Sequence, residues 1–246
     1  MRATGRIILS TASFESGATI LIDGAAMPVR VRRSARARFY RLTIDSARGE
    51  LRLSMPTRAN LRKALLWAQD HEGWVRAQMA RQPAAMRLID GATFPLEGRE
   101  VRICWIAGAT RTIRLEGDRL MLGGAAESVG ARVMRWLRAR AKAVLEAETR
   151  AMAREYGLTV ASVGVGDPRS RWGSCTSSGA IRYSWRLILA PPDVRRATVA
   201  HELAHLLHMD HSPAFHAAHA RILGGDPRPA RAWLRAQGAG LHRYSE

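Results

Sequence analysis

The sequence predicts an α+β fold, in which a β-rich N-terminal half with one helix precedes a helix–strands–helix C-terminal half. Three observations carry that expectation. Residues 17 to 55 and 92 to 122 hold short apolar runs and apolar–polar alternation, punctuated by glycine turns. From Ser128 to Tyr156 the apolar residues recur at helical spacing instead. A second apolar helix follows Pro191-Pro192-Asp193, in a segment unusually rich in histidine.

Taken in order, GATILIDG and VRVRRSARARFYRLTIDSARGELRLSM read as strands, with a hairpin turn from Asp45 to Gly49. Residues 57 to 80 read as a helix with Thr57 as N-cap, and Leu61, Leu65, Ala68 and Trp74 recur at helical spacing. TFPLEGREVRICWI and TRTIRLEGDRLML return to strands, each with an internal glycine turn, before the break at Gly123-Gly124. The long helix from Ser128 to Tyr156 carries Val133, Leu137, Val144 and Ala151, and Gly157 is placed to stop it. LTVASVGVGD and AIRYSWRLILA read as strands joined by RSRWGSCTSSG. Asp193 reads as the N-cap of a helix running to about Met209. No internal repeat stands out. The boundary falls near Gly123 to Glu127, which divides the chain into residues 1–125 and 126–246.

Composition narrows the function classes. With 246 residues, 47% hydrophobic and 24% charged, the chain can bury a proper core, which argues against disorder. Its formal net charge is +18, and only Lys63 and Lys142 among its 39 basic residues are lysine. Such a charge predicts non-specific attraction to nucleic acid or other polyanions. Six arginines between Arg30 and Arg41, on alternating strand positions, would line one sheet face, either solvated or phosphate-binding. Two cysteines, Cys104 and Cys175, exclude a Cys-rich zinc site or a disulfide framework. The apolar run in MRATGRIILSTASFESG is too short for a signal peptide, and no window reads as a membrane span. A cytoplasmic location is the resulting expectation.

HELAHLLHMDHSPAFHAAH, residues 201 to 219, holds six of the eight histidines. His201 and His205 lie one turn apart on one helix face, where two imidazoles can reach one zinc ion. Glu202 lies about 100° round the helix, placed to act as general base on a water at the metal. A third protein ligand is needed if water fills the fourth position. The candidates are His208, His211, His216 and His219. A straight helix spreads His208 too far along its axis, whereas His211 follows the turn that HSP signals and can approach from another direction. His211 is therefore favoured.

Several motifs together resemble the YgjP-like metallopeptidases, relatives of the SprT-like zinc proteases. Arg171-Trp172-Gly173-Ser174-Cys175 is similar to the family's RWGSC signature. IRYSWRLILAPP, residues 181 to 192, and HELAHLLHMDHSPAF, residues 201 to 215, resemble its next strand and its zinc helix with the following turn. Weaker likeness extends upstream through VRRSARARFYRLTID and LRLSMPTRANLRKALLWAQDHEGWV to TFPLEGREVRI. Ser184 and His216 depart from the residues usual there. The resemblance implies a compact zincin-like, minigluzincin-type helix–sheet–HExxH-helix domain. It implies His201, His205 and His211 as ligands of Zn2+ and Glu202 as general base, in agreement with the choice of His211.

The expected function is zinc-dependent hydrolysis of peptide bonds in a peptide or protein substrate. The strand near residues 181 to 189 would hold the extended chain by β-addition. Around the site, Trp172 reads as a core or cleft-wall aromatic and Cys175 as a buried thiol. Arg171 reads as a loop-holding residue, with a substrate carboxylate as the alternative, and Tyr183 as a packed tyrosine, with an oxyanion donor as the alternative. Two other readings are a zinc-dependent nucleotide or phosphoanhydride hydrolase, suggested by the arginines, and a protease acting on nucleic-acid-associated proteins.

Overall fold

The computed structural model describes residues 18–45, 49–80 and 85–245. The segment MRATGRIILSTASFESG and residues 46–48 of the Asp45–Gly49 turn lie outside the described residues. The chain is a mixed α+β protein of two compact units, Met1–Gln82 and Pro83–Glu246. The sequence-based division at 125/126 falls inside the second unit. Residues 93–122 share one core with the long helix, where Phe94, Ile103 and Leu120 cluster with Val133 and Leu137.

The first unit contains β1 (Ala18–Ile22), β2 (Ala25–Ser34), β3 (Arg41–Asp45), β4 (Glu50–Pro56), α1 (Leu61–Asp70) and α2 (Glu72–Ala80). Its sheet runs β1-β2-β4-β3, with antiparallel outer pairs around a parallel β2–β4 pair. Asp23 and Gly24, both at positive φ, make the tight turn between β1 and β2. Ile20, Val29, Leu51, Leu53 and Met55 face a core closed by Leu65, Ala68 and Val75. Where one helix was expected over 57–80, there are two. Asn60, not Thr57, caps α1 by accepting from the Lys63 amide at 3.1 Å. The break at His71 rotates Trp74 outward and puts Val75 in the core.

The second unit begins with β5 (Met86–Arg87), β6 (Thr93–Leu96), β7 (Arg99–Trp105), β8 (Arg114–Glu116) and β9 (Arg119–Leu122). Its first large sheet runs β6-β7-β9-β8, again with antiparallel outer pairs around a parallel inner pair. The same topology thus occurs in both units, a repeat the sequence did not disclose. Pairing order is a backbone property, and different side chains can satisfy it.

Next comes α3 (Val129–Glu155), ended by Gly157 at φ 65. Its buried stripe follows Val133, Leu137, Ala141, Leu145, Thr149 and Met152. Val144 is only partly buried and Ala151 is exposed, because steps of seven drift off a 3.6-residue helix.

After α3 the chain forms β10 (Ser162–Gly166), β11 (Gly173–Cys175) and β12 (Ala180–Ser184), then a 3-10 turn over Trp185–Leu189. The expected strand at 180–190 therefore ends early. The Ser184 side chain accepts from the Arg186 amide at 3.4 Å, and the whole run Trp185–Leu189 is buried. An apolar run buried on all sides carries no periodicity that would separate strand from turn. This sheet runs β10-β12-β11.

The chain continues as α4 (Pro192–Ala204), α5 (Pro213–Leu223), α6 (Arg228–Leu241) and β13 (Tyr244–Ser245), which pairs with β5. Among the described residues no helix is long and apolar enough to cross a membrane.

A buried ion network holds α4 in place. Arg195, 3% exposed, donates to both carboxylate oxygens of Glu148 on α3, at 2.7 to 3.1 Å, and approaches Glu97 of the β6–β7 turn at 3.5 Å. Glu97 also accepts from Arg140 at 2.6 Å. Removing the Arg195 guanidinium leaves Glu148 without its charge partner and Glu97 with Arg140 alone. Arg195→Ala is expected to cost about 3 kcal/mol, the lower end for a broken buried pair because both glutamates keep some solvent. A urea-unfolding midpoint unchanged from wild type would contradict this.

Candidate metal centre

Helix α4 begins with Pro191 at the N-cap and Pro192 as the first helical residue, so Asp193 sits in the first turn instead of capping it. A proline lacks the amide that a cap would satisfy, and Asp193 still complements the helix dipole. The helix ends at Ala204, not near Met209. The amides of Leu206 and Leu207 turn back onto Leu203 and Ala204. This early end leaves His205 at the helix terminus and His208 beyond it.

The loop that follows returns to the helix. Ser212 caps α5 by accepting from the Phe215 amide at 3.4 Å, and Pro213 starts it. His211 is thereby carried back over α4. His201, His205 and His211 each offer a ring nitrogen, and these atoms lie within 4.8 Å of one another. The Nε2 atoms of His201 and His211 are 3.4 Å apart. His205 Nδ1 lies 3.1 Å from the His208 carbonyl. A carbonyl only accepts, so Nδ1 carries the proton and Nε2 is left with a lone pair for a metal. The contribution of His208 is thus its backbone oxygen.

Phe215, fully buried, lies under all three rings, with centroids 4.9, 4.5 and 4.7 Å from those of His201, His205 and His211. Sequence reasoning missed it; its place three residues after an N-capping serine was the available signal. His219 is buried on α5 and donates from Nε2 to the Ala197 carbonyl at 3.0 Å, locking α5 to α4. His216 is exposed. Neither joins the cluster of three.

Burial pushes His201 down to about 3, with the neighbouring His219, His205 and His211 adding to the effect. Burial also lowers His205. Both imidazoles are therefore neutral, the form that binds a metal. Three imidazole nitrogens suit zinc, copper, iron or nickel. The donor set fits a metal ion.

Glu202 lies about 100° further round the helix than His201, is 3% exposed, and has no hydrogen-bond partner for Oε2 among the described residues. Burial raises it to about 7, opposed by the charge of Arg171. β11 packs directly on it, since a Cβ added to Gly173 would lie 2.7 Å from Glu202 Cγ. Trp172 stacks toward His242 and against Gly238 of α6, forming a wall. Cys175 is pushed up to about 11 by burial and by Glu202, so its thiol stays protonated. The Tyr183 hydroxyl is buried 3.0 Å from Thr149 Oγ1 on α3, which makes it a packing residue and not an oxyanion donor. Arg171 makes no side-chain hydrogen bond or ion pair with any described residue, and its charge is felt at Glu202.

The profile of the YgjP-like metallopeptidase domain matches residues 38–237. The chain belongs to this family. No curated protein matches it, and no solved structure does. For a YgjP-like metallopeptidase, a metal site built from histidines on a buried helix and its return loop is chemically apt.

Because Gly173 leaves room only for the Glu202 side chain, Gly173→Ala is expected to displace that carboxyl. Hydrolytic turnover should fall by roughly tenfold or more, with metal content by elemental analysis unchanged. Equal turnover in the two proteins would show that Glu202 is not positioned by β11.

Proposed function

We propose that this YgjP-like protein is a zinc-dependent peptidase whose metal is held by His201, His205 and His211 and whose general base is Glu202. The observation that carries the reading is the convergence of three imidazole nitrogens within 4.8 Å, with His201 sharing a cavity wall with Glu202, a buried carboxyl whose Oε2 has no partner among the described residues. When bound, zinc supplies a Lewis acid that acidifies water and polarises a carbonyl. Glu202 Oε2 accepts the proton of the attacking water. Glu202 then passes that proton to the leaving amine, which binds it more tightly than a carboxylate does. The low-dielectric wall of Gly173 and Trp172 keeps bulk water from competing for it.

The substrate chain lies along a free sheet edge by β-addition. That edge is not β12, which was the sequence-based choice, because β12 is paired on both sides by β10 and β11. β11 is the edge strand that packs on Glu202, so an extended peptide adds there.

A second surface takes up the basic charge. Arg30, Arg32, Arg41 and Arg52 share one face of the first unit's sheet, and Arg30 and Arg52 are engaged by Glu50 and Asp45. Phe39 stands 82% exposed beside Arg38 and close in sequence to Arg36 and Arg41. Arginines beside an exposed aromatic ring suit single-stranded nucleic acid, by phosphate pairing and base stacking.

Elemental analysis and peptide cleavage test the first reading together. Wild type is expected to hold about one zinc per chain; His211→Ala is expected to lose most of it. Glu202→Gln is expected to keep the zinc and lose cleavage by at least roughly a hundredfold. Full zinc retention in His211→Ala would sink the ligand assignment. For the second surface, labelled oligonucleotide should bind with a strong salt dependence. Arg32→Ala should reduce the log–log salt slope by about one, and Phe39→Ala should weaken single-strand binding. Salt-independent binding would refute that assignment.

A further inference from the structure

A cavity of about 230 Å³ opens beside the three-histidine cluster, and His201 and Glu202 form part of its wall. The rest of its lining includes Arg171, Trp172, Pro227, Ala230, Arg231 and Leu234, from the loop before β11 and from α6 with the residue before it. The two arginines are its only cationic side chains and Glu202 its only carboxyl. The charge of Arg171 is felt at Glu202, and that of Arg231 at His201 and His219.

Neither guanidinium has a hydrogen-bond or ion-pair partner among the described residues; the Arg231 backbone amide donates to the Pro227 carbonyl at 3.2 Å at the start of α6. Elsewhere in this unit Arg140, Arg186 and Arg195 are each paired with a carboxylate. Two unpaired guanidinium groups in one mostly apolar concavity make a receptor for a carboxylate or phosphate. At about 230 Å³ the cavity lies below the roughly 300–1,000 Å³ of typical small-ligand sites, a size that suits a single side chain.

We propose that this cavity is a specificity pocket that selects an acidic residue, aspartate or glutamate, next to the cleaved bond. The proposal rests on the peptidase reading above. Trp172, Ala230 and Leu234 cover the methylene stem of the acidic residue, and its carboxylate meets Arg171 and Arg231. The same carboxylate chemistry could come from the C-terminus of the substrate chain, and the test separates the two sources.

Internally quenched peptides, identical except for Glu, Gln or Lys at each position flanking one bond, are incubated with the zinc-loaded full chain. Each is made with a free and with an amidated C-terminus. At one flanking position the Glu peptide is expected to be cleaved roughly tenfold faster than the Gln peptide, whether or not the terminus is amidated. Arg231→Gln and Arg171→Gln should each shrink that ratio, and Arg231→Glu should turn the preference toward Lys.

Cleavage with no acidic preference would overturn the pocket and leave the peptidase reading standing. Loss of cleavage on amidation alone would overturn it in favour of the chain terminus. If no peptide is cleaved, the peptidase reading fails, and anisotropy with labelled forms of the same peptides on zinc-loaded Glu202→Gln judges the pocket separately. Tighter binding of the Glu peptide that Arg231→Gln abolishes would sustain it; equal binding of Glu and Gln peptides, or displacement by a nucleoside triphosphate with phosphate release by wild type, would overturn it.

Discussion

Helix α4 is buried along most of its length, yet it carries Arg195, His201 and Glu202, and the rest of the second unit is arranged around satisfying those groups. A charged side chain in a dry interior needs a partner or a shifted proton equilibrium. Arg195 finds the carboxylates of Glu148 and Glu97, which ties α4 to α3 and to the β6–β7 turn. His201 stays neutral in the interior. Glu202 has no such partner for one of its oxygens and becomes a weak acid, raised to about 7. Burying a carboxyl oxygen without a hydrogen-bond partner costs stability at Glu202.

The elements around α4 divide the work. Alpha helix α5 brings Phe215 beneath the imidazoles and fixes its own height through the His219–Ala197 hydrogen bond. The return loop delivers His211, and the His208 carbonyl sets the tautomer of His205. β11 presses Gly173 against Glu202, and Trp172 spans to α6. Behind these, Arg186 joins Asp167 to the carbonyls of Leu241 and Tyr244, so the end of α6 cannot drift from the 3-10 turn. That pin keeps the wall bearing Arg231 in place.

Much of this was legible from residue patterns. Hairpin turns at Asp23-Gly24 and Glu97-Gly98 and the stop at Gly157 announce themselves through residues that tolerate positive φ. His201 and His205 share a face because the helical period requires it, and Ser212-Pro213 marks the next helix start. The misreadings have physical causes. Thr57 and Asn60 are both competent caps, and only packing chose Asn60. Trp185–Leu189 is buried on every side, which removes the periodicity that marks a strand. Val144 and Ala151 were drawn into the stripe of α3 by a seven-residue spacing that the helix does not keep.

By itself, the sequence determined the α+β composition, the helical spacing of His201 and His205, the adjacency of Glu202 and the turn that frees His211. These are consequences of local geometry, where residues a few positions apart have few ways to lie. Tertiary structure alone decided that Phe215 floors the site, that Gly173 confines Glu202, that Tyr183 faces Thr149, that β12 has no free edge, and that Arg171 and Arg231 share one cavity. Each of those facts joins residues tens of positions apart or on separate elements. Their meeting depends on how apolar faces pack, and no local pattern encodes it.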